Sequence, residues 1–90
     1  MAVYLVSYDL DQAERDHSDL MQSLRDAGGI RVLSSAWLIE VSQTAVEVRQ
    51  ALKSHMDASD RVFVVEITAD AIWAGLRMME PSGDWLLTRR

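Results

Sequence analysis

Ile30-Arg31-Val32-Leu33-Ser34-Ser35-Ala36-Trp37-Leu38-Ile39-Glu40-Val41 is the stretch on which the topology turns. As one bent strand it leaves the chain with three strands separated by two helices. As two strands meeting at Ser34-Ser35 it gives β-α-β-β-α-β, an antiparallel sheet with two helices on one face. Aromatic and β-branched residues mark Ala36 to Val41 as the better-defined part. The paired serines break the apolar run, as a bulge, bend or irregular start would.

The flanking segments have the required types. Upstream, Val3-Tyr4-Leu5-Val6-Ser7-Tyr8-Asp9-Leu10-Asp11 is a short apolar run closed by carboxylates one residue apart, and its near-continuous apolarity suits a buried central strand. Between the two strands, Asp11 to Asp16 is polar. His17, Leu20, Met21, Leu24 and Ala27 then recur at helical spacing before a Gly28-Gly29 stop. Asp16 and Ser18 are the candidate N-caps. Downstream, Thr44 opens a second helix with Glu47 in capping-box register, and Ala45, Val48, Leu52 and Met56 form its apolar stripe.

Asp57 to Asp60 is a turn cluster leading into Arg61-Val62-Phe63-Val64-Val65-Glu66-Ile67, which is apolar at nearly every position, as a central strand would be. Asp70 to Met79 fits a short helix with Ile72, Trp73, Leu76 and Met79 on one face, although Gly75 costs it about 1 kcal/mol relative to alanine. After a turn at Pro81-Ser82-Gly83, Trp85-Leu86-Leu87-Thr88 reads as a terminal strand. The fold class expected is therefore α+β: one ferredoxin-like βαββαβ domain over residues 1–90, with a short extra helix and a C-terminal strand.

Composition narrows the function. Nine basic and fourteen acidic residues give a net charge of −5, which argues against a broad phosphate-binding surface. A local basic patch is compatible with that sum. With no cysteine there is neither a disulfide framework nor a thiolate metal site. No signal segment and no spanning apolar run is present, so a cytoplasmic protein without membrane association is expected. A chain of 90 residues has a small core, which makes pairing with a second copy a natural route to stability.

Few residues carry chemistry. His17 and His55 stand alone, without a second ligand at metal spacing. Trp37 and Trp73 fall on apolar faces and read as core; Trp85, Leu86 and Leu87 are the interface candidates. Asp9 and Asp11 are the candidate metal ligands, with Asp9 as the catalytic residue. Mg²⁺ takes hard oxygen ligands, keeps several waters and needs only one or two carboxylates plus a substrate phosphate. The same residue type after a strand also forms turns and caps helices. One Asp9 per chain makes a sparse site, and a twofold dimer could supply the second.

Three motifs are similar to a known family. Ser7-Tyr8-Asp9-Leu10 closing the first strand, Ser35-Ala36-Trp37-Leu38-Ile39, and the strand from Asp60 to Glu66 resemble the second CRISPR-associated protein family, and in detail its SinR-like relatives. The resemblance covers most of the chain. It implies a ferredoxin-like homodimer whose last strand adds to the partner's sheet, and an Mg²⁺-dependent endoribonuclease acting on RNA more than DNA, with Asp9 matching the strand-end aspartate and Tyr8 its neighbour. The acidic charge departs from nucleic-acid-gripping relatives. The alternative is a non-catalytic dimeric interaction or scaffold module of the same fold with a protein partner.

Overall fold

The computed structural model describes residues 1–11 and 17–88. Strand β1 (Ala2–Asp9) is followed by helix α1 (Ser18–Asp26), strands β2 (Ile30–Leu33) and β3 (Ala36–Val41), helix α2 (Ala45–Lys53), strand β4 (Arg61–Ile67) and helix α3 (Ser82–Thr88). The Ile30 to Val41 stretch is a hairpin turning at Ser34-Ser35, with a register shift between Arg31 and Leu33. All neighbouring strands are antiparallel, in the order β2-β3-β1-β4. This is the expected α+β, ferredoxin-like sheet.

Alternation along β1 divides the core in two. Tyr4, Val6 and Tyr8 face the α1 and α2 layer, packing with Leu20, Leu24, Trp37, Ile39, Val48 and Leu52. Val3 points the other way, toward Val32, Ala36, Leu38, Trp85 and Leu86. Trp37 is core, as its apolar strand implied, and the Arg25 guanidinium lies 5.7 Å from its ring centroid.

Local signals account for the helix ends. Thr44 accepts from the Glu47 amide at 3.2 Å while the Glu47 carboxylate accepts from the Thr44 amide at 2.8 Å, completing the capping box. Gly28 turns the chain with a φ of +73°, and at Gly29 a Cβ would lie 2.6 Å from Ile39 Cγ2 and 2.7 Å from the Leu24 carbonyl. The N-cap of α1 is His17, without a side-chain capping bond; Ser18 is already helical, and Asp16 lies outside the described residues.

Three expectations are corrected. β4 is the edge strand of the sheet, with β1 in the interior. Its Val62 and Val64 pack on the helical core, whereas Phe63 and Val65 are exposed on the opposite face, because only part of that face is covered. Asp70 to Met79 is not helical: Arg77 sits at a φ of +55°, outside the right-handed helical region, and Ile72 is 99% exposed. A short helix with no face to bury has little to hold it. Trp73, expected in the core, is accordingly 38% exposed.

The expected C-terminal strand is helix α3. Trp85 and Leu86 are adjacent, and both are buried against the same layer. A strand would send them to opposite faces, whereas a helix keeps neighbours within one apolar stripe. The chain leaving β4 at one side of the sheet thus crosses toward β2, where the Met79 amide donates to the Val32 carbonyl at 3.0 Å and α3 packs. Replacing Trp37, which joins the sheet to α1, should cost about 3–5 kcal/mol for Trp37→Ala. Denaturant melts would read this as a large drop in midpoint with an intact fold in the absence of denaturant.

Candidate functional site

Asp9 is placed by ladders on both sides of β1. Ser7 pairs with Ala36 of β3 and with Phe63 of β4, and Asp9 pairs with Arg61. Cross-strand partners project to the same face. Ser7, Asp9, Arg61, Phe63 and Val65 therefore share the face away from α1 and α2, beyond the part of it that α3 covers. A shallow cavity of about 150 Å³ is lined by Ser7, Tyr8, Asp9, Arg61, Val62 and Phe63. The Asp9 side chain is exposed, and no donor among the described residues is bonded to its carboxylate.

The neighbouring aspartates are engaged differently. Asp60, in the turn before β4, accepts from the Asp11 amide through Oδ1 and from the Asp57 amide through Oδ2, both at 2.9 Å. It ties the exit of β1 to the entry of β4. Asp11 is exposed and enters this clamp through its backbone. Among the described residues there is no group of three or more His, Cys, Asp or Glu side chains able to surround a metal ion. What one chain offers a hard cation is carboxylate oxygen, from the exposed Asp9 and Asp11 side chains.

Tyr8 borders the cavity, but its hydroxyl is engaged in the core. Its hydroxyl accepts from Trp37 Nε1 at 3.1 Å and donates to Met21 Sδ at 3.6 Å, linking β1, β3 and α1 directly behind Asp9. Trp85 and Leu86 are buried within their own chain, and Leu87 is 68% exposed. His17 occupies the N-cap position of α1 without a side-chain capping bond, and His55 is exposed beyond the end of α2. Arg61, Phe63 and Asp60 escaped the sequence reading as site residues. They lie more than fifty positions from Asp9 along the chain, and only the antiparallel register brings them beside it.

At the other end of β1, Tyr4 donates to the Gln43 carbonyl at 2.6 Å. Burial, then the Glu66 and Glu47 carboxylates, push its phenol above the ordinary 10.0.

A small antiparallel α+β domain with an aspartate ending its central strand is the class that this geometry defines. The chain belongs to the family described as CRISPR associated protein Cas2, whose family model matches residues 1–73. Its fold is similar to the crystal structure of a hypothetical protein, TT1823, from Thermus thermophilus. The TM-score is 0.64 at 21% sequence identity, covering 83% of this chain and 92% of that one. No described helix is long and apolar enough to cross a membrane.

Two outcomes follow for the residues around the site. Tyr8→Phe leaves Trp37 Nε1 buried without its acceptor and should destabilise the fold by about 1–3 kcal/mol, read from chemical denaturation. Tyr4, with its folded-state phenol raised, contributes stability that is intact below pH 10 and is lost as pH climbs through the folded value. The melting temperature should fall across that alkaline window, and Tyr4→Phe should flatten the fall.

Proposed function

We propose that this protein works as a homodimeric, Mg²⁺-dependent endoribonuclease of the CRISPR-associated adaptation machinery, with Asp9 of each chain as the metal ligand. The observation that carries the reading is the Asp9 carboxylate, exposed at the end of the central strand and held by no donor among the described residues. Asp60, close by in sequence to Arg61, has its oxygens committed to backbone amides. An uncommitted carboxylate at a rigid strand end is suited to a hard cation.

A second copy completes the site. Two Asp9 carboxylates brought together would repel each other, and a bound divalent cation would relieve that repulsion. When bound, the ion supplies Lewis acidity and a more acidic water for attack on a phosphodiester. This chain's residues do the rest: Asp9 presents the oxygen ligand, and Arg61 presents a guanidinium to phosphate charge across the strand pair. Asp60 and Tyr8 hold the backbone and the strand beneath them. Asp11, beside the same turn, supplies a further carboxylate toward the cation.

A second reading, a dimeric scaffold that docks a protein, is favoured by a different observation. Ile72, Leu76 and Leu87 are exposed on the segment that crosses the sheet and on α3, and the chain carries a net charge of −5. Apolar exposure on an acidic surface suits a protein partner more than phosphate.

Cleavage of a labelled single-stranded RNA with Mg²⁺ or Mn²⁺, alongside Asp9→Asn, separates the two. The nuclease reading expects metal-dependent cleavage that Asp9→Asn lowers by about a hundredfold or more, with a dimeric mass by light scattering. Cleavage indifferent to Asp9, or absent with both metals, leaves the scaffold.

A further inference from the structure

The ladder between β1 and β4 ends at Asp9 and Arg61. Alternation of side chains continues beyond it. Tyr8 is buried and Leu10 packs against the helical core, while Asp9 and Asp11 are exposed. Continuing the register by two residues would set Ser59 opposite Asp11. Ser59 lies in the turn before β4, so the chain has already left the sheet at that level.

The Asp60 side chain takes over where the ladder stops. Its Oδ1 accepts from the Asp11 amide and its Oδ2 from the Asp57 amide, each at 2.9 Å. An amide bonded to an ionised carboxylate is held more strongly than one bonded to a neutral carbonyl. Asp11 is gripped by its backbone, which leaves its own carboxylate exposed. The bond fixes the course of the chain two residues after Asp9.

Asp60 stands among the candidate ligands with a different role. Each of its oxygens already faces an N–H donor, so a cation would have to share that oxygen with the donor. The half-buried Asp60 side chain therefore organises the loop, and the exposed Asp9 and Asp11 side chains are the ones open to an ion from solvent. Partners of this kind, which orient metal ligands without touching the metal, commonly govern affinity by about ten- to a hundredfold.

We propose that Asp60 is a positioning residue for the cation site. By holding the Asp11 amide it sets the Asp11 carboxylate relative to Asp9, and so sets the affinity for a divalent cation. The inference rests on the metal-dependent reading of Asp9 and names how one chain organises its two carboxylates.

The test is titration of the full chain with Mn²⁺ alone, followed through the electron paramagnetic resonance signal of the free aqueous ion. The wild-type chain should bind Mn²⁺, and Asp9→Asn should bind it more weakly. Asp60→Ala should weaken binding by about tenfold or more. Asp60→Asn has one acceptor oxygen for two amides and should fall between. Asp11→Ala keeps the amide and loses the carboxylate, so adding Asp60→Ala to it should cost no further affinity. Hydrogen exchange gives a second readout. In Asp60→Ala the Asp11 amide should exchange faster, while the Tyr8 amide, bonded to the Ser35 carbonyl, keeps its protection.

Mn²⁺ binding that depends on Asp9 but is unchanged in Asp60→Ala overturns the proposal and leaves the nuclease. Losses from Asp60→Ala and Asp11→Ala that add independently also overturn it, because Asp60 then acts only by holding the turn. Should Asp60→Ala fail to fold, Asp60→Asn decides in the same way: unchanged affinity overturns the proposal, and a loss that disappears in the Asp11→Ala background supports it. Binding that depends on Asp60 through Asp11, without cleavage of RNA, keeps the positioning role and removes the nuclease. Mn²⁺ binding indifferent to Asp9 removes both.

Discussion

Burial of β1 on both faces and pairing on both sides is the constraint from which the rest follows. Val6, at its middle, is fully buried, and Tyr4 and Tyr8 on either side of it belong to the same helical core. A slip of one residue would send those three to the other face and bring Val3, Leu5 and Ser7 under the helices. The ladders to β3 and β4 both have to agree with that choice. Asp9 is thereby held in one place, on the face away from α1 and α2, without any bond to its own carboxylate from the described residues.

The two faces of the sheet are finished differently. Two helices complete one side, built on the stripes of Leu20 with Leu24 and of Val48 with Leu52. On the other side α3 brings only Trp85 and Leu86, enough to cover Val3, Val32, Ala36 and Leu38. Leu5 and Ile67 mark the margin of that cover, and beyond it lie Phe63, Val65, Arg61 and Asp9. In a chain of 90 residues, leaving such apolar surface exposed forgoes stabilisation that a small domain can rarely spare. That contrast is what gives the open part of the face its functional interest.

Three aspartates near the site illustrate how little residue type decides. Asp60 serves as a backbone clamp, Asp11 enters that clamp by its amide, and Asp9 presents an unheld carboxylate opposite an arginine on the neighbouring strand. The Tyr8 hydroxyl, adjacent to Asp9 in sequence, is turned into the core and engaged by Trp37. Alternation separates these neighbours more effectively than distance along the chain does.

Much of the architecture was legible because its causes are local. The capping box at Thr44 and Glu47, the helical spacing of Leu20 and Leu24, the Gly28-Gly29 stop and the serine pair between Leu33 and Ala36 act within a few residues, so pattern located two helices, the strand segments with a break at the serines, and the strand-end position of Asp9. What pattern could not determine was which apolar surface finds cover. The residues from Val62 to Val65 in β4 are apolar whether the strand is central or at an edge, and Ile72, Trp73, Leu76 and Met79 keep helical spacing in a segment that is not helical. Trp85 and Leu86 became helical because a sheet face was there to receive both at once. The meeting of Asp9 with Arg61 and Phe63 was likewise a tertiary outcome. Antiparallel register joins residues far apart in sequence, and no short-range preference in either segment encodes the partner.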